Sequence, residues 1–336
     1  MLAGVGWAGV TIFFALSGFL LTKLYFEEFR RGLVAAEVKS YLLKRVARIY
    51  PLYFALLGFT VLLWSLGVDT GVRDPSIVGW NIASHLVLLH GYFGSFCTGF
   101  IAPAWSLTIE ESFYLLLPVA CLVVGRFTGP GPGLSLPRFA LGLAAFTAAC
   151  LLWGYGVVAL WRNRPYGLFD NWINQTIFGQ MPTFALGMLA GVLWRYRPRA
   201  AVFASPWWSN LAGTAGVAMY VLGADFYAGR LTWMEGLLGQ LVFASSGALF
   251  IVALCGRSVY ARVLGFALPV YGGRISYAFY LIHTLQFLHP AQVGVYHPVV
   301  TYVYFQLLAA VLYELIEKRA HRWLRARWEV SPRAPG

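Results

Sequence analysis

Charge is missing from this chain in blocks the length of a membrane crossing. Residues 1–22, 49–68, 139–161, 171–194, 200–224 and 236–256 contain no Asp, Glu, Lys or Arg, and 275–313 is an uncharged block long enough for two crossings around Pro290 and Pro298. A helix rises about 1.5 Å per residue, so the hydrocarbon layer is crossed by about 20 largely apolar residues. Charged residues make up 11% of the chain, against about 25% in soluble domains. A soluble core has no use for so many apolar windows of this length. The blocks predict an all-α polytopic integral membrane protein, one domain over residues 1–336. About nine transmembrane helices are expected, near 3–22, 49–68, 104–125, 139–160, 177–194, 207–224, 236–256, 271–289 and 299–317. The stretch 77–93, IVGWNIASHLVLLHGYF, holds two histidines and an asparagine and reads as an interfacial or re-entrant helix.

Nine crossings place 23–48, 126–138, 195–199, 257–274 and 318–336 on one side. These segments hold all of the 25 lysines and arginines except Arg73, Arg162, Arg164 and Arg230. Positive residues collect in cytoplasmic loops, which predicts a multi-pass protein of the inner (plasma) membrane with a cytoplasmic C-terminus. The net charge of +12 has the same origin. Spread over loop ends, it suits topology and contact with the lipid bilayer, and it predicts no nucleic-acid partner. An odd number of crossings puts Met1 outside, yet no basic residue precedes the first apolar run as in a signal peptide. The expectation is either an exported N-terminus or an earlier helix that this sequence lacks. Cys97, Cys121, Cys150 and Cys255 show no paired spacing and read as small hydrophobes.

A polar side chain inside lipid is expensive, and is normally paired or functional. In PAWSLTIEESFYLLLP, Glu110 and Glu111 point about 100° apart on a helix, so they occupy different environments. Glu110 is either part of a polar interior or an interfacial residue near a helix start. In YLLKRVARIYPLYF, Arg45 and Arg48 share a helical face, and Pro51 is expected to kink or restart the helix. Two guanidinium groups on one face suit a phosphate or pyrophosphate; the alternative is a pair of snorkelling topology anchors. Ser17-Gly18 falls mid-span, where a small pair allows close packing and the hydroxyl can bond its own helix. In GRISYAFYLIHTLQF, Ser276, Tyr280 and His283 share a face beside Tyr277, and His283 is expected mid-span, lining a polar cavity or packed on a tyrosine. Near the end, Glu314 and Lys318 are spaced to pair across one helical turn. His85 and His90, five apart, are badly spaced to share a helical face. No phosphate-loop, nucleophile-elbow or metal-ligand motif is present.

Several of these pieces occur together in one known family. GVTIFFALSGFLLTK, KRVARIYPLY, PAWSLTIEESFYLLLP, GRISYAFYLIH and IEK stand in this order over residues 9–319. The chain resembles the membrane-bound acyltransferase 3 family, which includes O-acetylases of bacterial polysaccharides and acylases of antibiotics. The resemblance implies about ten membrane helices in the complete fold. It implies transfer of an acyl group, often acetyl, from acyl-CoA as cosubstrate to a hydroxyl of a saccharide or glycosylated natural product, with no bound cofactor. Carried onto this sequence, Arg45 and Arg48 bind or orient the acyl donor, and Glu110 belongs to the polar interior that supports acceptor or active-site geometry. Ser17, Tyr277 and His283 match family positions without an assigned role. Glu110 and His283 are the catalytic-site candidates, with His283 expected to line the cavity and not to replace the missing base. The family also carries an earlier first helix with an Arg or Lys followed by a His, the favoured catalytic base. No histidine precedes His85 here, so the resemblance leaves open a sequence lacking that helix or a truncated, inactive member. A transporter or exporter of a lipid-linked sugar is the alternative from another class.

Overall fold

The structure, a computed structural model, describes residues 8–72, 74–96, 99–128, 134–161, 175–227, 233–294 and 297–328. Arg73, Arg162, Arg164 and Arg230, the basic residues expected on the opposite side, lie outside these, as do Met1 and Cys97. The described residues form helices and turns with no β-strand. The longer helices are α1 (Ala8–Phe29), α2 (Ala35–Ser65), α3 (Val78–Leu86), α4 (Trp105–Thr128), α5 (Leu136–Trp161), α6 (Ile177–Tyr196), α7 (Pro206–Tyr227), α8 (Trp233–Cys255), α9 (Ala267–Ile282), α10 (Pro298–Leu312) and α11 (Lys318–Trp328). Among the described residues, seven helical segments are long and apolar enough to cross a bilayer. The protein is an all-α, multi-pass membrane protein.

Two compact units divide the chain. The first holds α1, most of α4, and α5 to α8; the second holds α2, α3, the start of α4, and α9 to α11. In the first unit, α6 is surrounded by α1, α5 and α8, and its Met181, Phe184 and Met188 are fully buried. The approach of α1 to α6 depends on small residues. A Cβ on Gly187 would overlap the Ala15 carbonyl, and one on Gly18 would overlap the Phe184 carbonyl. Lipid is as apolar as leucine, so tight backbone packing replaces the hydrophobic drive that joins helices in water. At the far end of the same pair, Arg195 donates to the Lys23 carbonyl at 3.2 Å, and the Lys23 ammonium lies over the Trp194 ring. Both basic residues belong to the set expected on one membrane side.

In the second unit, α2 has 31 residues, more than a crossing needs. Its basic first half precedes the apolar second half, and it runs unbroken through Pro51, so the proline does not restart it. The α3 helix has only nine residues and cannot cross. It stops at Leu88, whose φ is 53°, and the chain returns through Phe100, whose φ is 45°. Left-handed backbone at two bulky residues costs on the order of 1–3 kcal/mol each and persists only where packing enforces it. Both side chains are almost fully buried.

The α9 helix corrects the expected span 271–289. It has 16 residues and ends at Ile282, so His283 follows the helix and does not lie mid-span. Pro290 lacks an N–H and its ring would strike the carbonyl one turn earlier, so no regular helix runs through residues 286–290. Short 3-10 turns at Gln286–Leu288 and Pro290–Val293 take over. From Pro298 the chain is helical to Trp328, interrupted by a single π turn at Tyr313–Glu317.

Candidate functional site

Glu110 is the centre of the polar cluster in the first unit. Ser17 on α1 donates its hydroxyl to Glu110 Oε1 at 2.7 Å, and Tyr114, one turn along α4, donates to the same oxygen at 2.5 Å. The carboxylate oxygen is the acceptor in both bonds. The Tyr114 bond follows from i,i+4 spacing. The Ser17 bond corrects the expectation that this hydroxyl bonds its own helix. Its reason is the close packing at Gly18, reinforced by Phe184, which stacks on Phe113 at 3.9 Å and on Phe14 at 5.0 Å.

A hydroxyl chain lies in the second unit. Tyr280 on α9 donates to the Pro103 carbonyl at 2.7 Å and is 2.6 Å from Ser106 Oγ. Ser106 Oγ also lies 3.2 Å from the Pro103 carbonyl, so the two hydroxyls share that acceptor and either can donate in the bond between them. His283 stands beside this chain, its ring 5.9 Å from that of Tyr280 and stacked on Phe279. His283 Nδ1 meets the Tyr280 carbonyl at 2.8 Å. A carbonyl only accepts, so Nδ1 carries the proton, and the neutral ring has its lone pair on Nε2. The same bond satisfies a carbonyl orphaned where α9 ends. Tyr277 donates to the Ile49 carbonyl at 2.8 Å, tying α9 to α2 one residue beyond Arg48. Ser276 does not join the group predicted on its face; its hydroxyl returns to the Gly273 carbonyl.

Arg45 and Arg48 both lie in the basic half of α2, Arg45 half-buried and Arg48 exposed. The α2 helix packs against the π turn and α11. Glu314 and Lys318 pair at 2.6 Å on the exposed side, as their spacing predicts. Glu317, three residues after Glu314, is buried; its sequence environment gives no hint of this.

The two histidines of the α3 hairpin also correct their expected separation. Because the helix ends between them, the His85 and His90 rings stack at 3.8 Å and 13°, and both are fully buried. Phe100 packs edge-on against His85. Both His85 nitrogens face carbonyls, Nδ1 that of Asn81 at 2.9 Å and Nε2 that of Gly99 at 3.1 Å. These oxygens favour the charged ring, but burial dominates and pushes the His85 pKa down to about 4. Burial and the His85 charge push His90 well below its ordinary value. A folded-state pKa below the unfolded value of about 6.5 means the unfolded chain binds more protons between the two values, so stability falls as pH falls through that window. The melting temperature of the detergent-solubilised protein is expected to drop between pH 6.5 and pH 4.5, and His85→Phe is expected to flatten that slope. A wild-type profile level over this range would contradict the assignment.

Among the described residues there is no group of three or more His, Cys, Asp or Glu placed to hold a metal ion.

Comparison with known proteins completes the picture. A family model described as an acyltransferase domain matches residues 4–324. The peptidoglycan O-acetyltransferase OatA of Listeria monocytogenes serovar 1/2a (strain ATCC BAA-679 / EGD-e) is 26% identical over 294 residues, covering 83% of this chain and 44% of that protein. The O-acetyltransferase OatA of Staphylococcus aureus (strain NCTC 8325 / PS 47) is 25% identical over 334 residues, covering 92% of this chain and 51% of that protein. The chain thus spans about half the length of the curated relatives it matches. No solved structure matches.

Proposed function

The chain belongs to the acyltransferase-domain family that matches it over residues 4–324, and we propose on that premise that it is a membrane O-acyltransferase. It moves an acyl group, acetyl in the simplest case, from acyl-CoA to a hydroxyl of a saccharide or glycoside. The bilayer is the inner (plasma) membrane, with the basic loops and the C-terminus in the cytoplasm, where acyl-CoA is available.

The observation that carries this reading is the His283 geometry. Acyl transfer from a thioester requires that the acceptor hydroxyl lose its proton as its oxygen bonds to the acyl carbon; the C–S bond then breaks and the CoA sulfur leaves. His283, with Nδ1–H held by a carbonyl, presents Nε2 to take that proton and return it to the departing sulfur. The Ser106 and Tyr280 hydroxyls lie beside it as polar groups of the same site. Arg45 and Arg48 bind the phosphates of the donor. In the first unit, Ser17 and Tyr114 hold the Glu110 carboxylate in place. The relatives' names, peptidoglycan O-acetyltransferase in one case, support a saccharide acceptor.

Arg45→Ala/Arg48→Ala together is expected to raise the KM for acyl-CoA by roughly tenfold or more, the scale of losing charge-assisted bonds to phosphate. Protein level and the acceptor KM are expected to hold. An unchanged donor KM would remove these arginines from the donor site.

A further inference from the structure

Beyond Glu317 the chain stays helical but changes character. The sequence KRAHRWLRARW, Lys318–Trp328, forms α11, which continues through the π turn from a segment long and apolar enough to cross a bilayer. Charge is expelled from hydrocarbon, so α11 begins at the bilayer surface. At about 100° per residue, Lys318, Arg319, Arg322, Trp323 and Arg327 occupy one half of the helix circumference. All five are exposed. Ala320, His321 and Leu324 on the other half are half-buried, and α11 packs against α2.

The exposed half carries one sign of charge. Lys318 is paired with Glu314 at 2.6 Å. No Asp or Glu lies between Lys318 and Trp328, and none of the ion pairs among the described residues includes Arg319, Arg322 or Arg327. The neighbouring half of α2 exposes Lys39 and Lys44 as well. Trp323 is 57% exposed, and the Arg327 guanidinium lies over its ring at 4.5 Å. A stacked guanidinium keeps its N–H edge free for a phosphate, and tryptophan favours the headgroup layer of a membrane.

We infer that this face of α11 binds the phosphates of anionic phospholipids in the leaflet from which the helix emerges. The occupant follows from charge and position. Cations attract an anionic surface, and the attraction falls off within a Debye length, so the partner must be held close. The preceding crossing holds the headgroup layer there. Contact also relieves repulsion among the cations of two packed helices. A purely topological role would need positive charge alone and no particular lipid.

The test compares the protein in nanodiscs of phosphatidylcholine alone with nanodiscs containing phosphatidylglycerol, reading amide hydrogen exchange in residues 318–328. Binding to the folded helix suppresses its local opening. Exchange is expected to slow roughly tenfold with phosphatidylglycerol, and the effect is expected to fade at high salt. Arg319→Ala/Arg322→Ala/Arg327→Ala is expected to remove the difference between the two lipids. Arg197→Ala/Arg199→Ala/Arg262→Ala removes the same charge from exposed positions elsewhere and is expected to leave the difference intact. Equal exchange of wild type in the two discs, or equal loss in both triple variants, would overturn the proposal. Should the α11 variant not accumulate, the wild-type salt dependence decides, and protection that persists at high salt overturns it. Protection by acetyl-CoA in phosphatidylcholine discs, with none from phosphatidylglycerol, would assign the face to a soluble phosphate and overturn it equally.

Discussion

Replacing His283 with alanine is expected to lower kcat for acyl transfer by roughly 10² or more, the usual worth of a positioned general base. Alanine removes two things at once, the lone pair on Nε2 and the cap on the Tyr280 carbonyl. His283→Asn separates them, because its amide N–H can still reach that carbonyl while offering no group that takes up a proton. If His283 is the base, Asn restores the melting temperature without restoring kcat. If its contribution is only to end α9, Asn restores both. A His283→Ala protein with normal turnover would exclude His283 as the base, and one with an unchanged melting temperature would exclude the capping role.

The second large effect concerns packing. Gly187→Leu is expected to abolish monodisperse, folded protein, because the new side chain begins where the Ala15 carbonyl already is. Overpacking typically costs on the order of 1–3 kcal/mol when side chains can yield, and here the obstacle is backbone. Forcing α1 from α6 also draws Ser17 from Glu110. Gly156→Leu is the matched control, since nothing lies within 4 Å of its Cβ position, and it is expected to leave size-exclusion profile and melting temperature unchanged. Equal behaviour of the two variants would show that the α1–α6 contact does not hold the unit together.

Seven of the nine expected crossings meet a long apolar helix among the described residues, 207–224 and 271–289 being the exceptions; they were legible in the sequence because an uncharged stretch of sufficient length has few other uses. Bonds within one helical turn, Glu110 with Tyr114 and Glu314 with Lys318, were legible for the same reason. Contacts between distant helices were not. Hydropathy separates inside from outside in water, but a lipid-facing side chain is as apolar as a core one. Leu141, Leu152 and Trp153 on α5 are exposed, whereas Phe139 on the same helix is buried, and nothing in their chemistry distinguishes them. The bonds of Ser17 to Glu110 and of Ser106 to Tyr280 therefore required the fold. So did the His85–His90 stack, created by a break after α3 that no glycine or proline signals. Glu317 is the clearest omission, since a regular helix would expose it and only the π turn buries it.

The central claim is transfer of an acyl group from acyl-CoA to a saccharide hydroxyl. Its most direct test incubates membranes containing the full-length protein with acetyl-CoA labelled in the acetyl group and with peptidoglycan or polysaccharide. The prediction is label on the saccharide as an alkali-labile ester, formed by wild type and lost in His283→Ala. Membranes that hold folded protein and bind acetyl-CoA, yet leave the saccharide unlabelled, would contradict it.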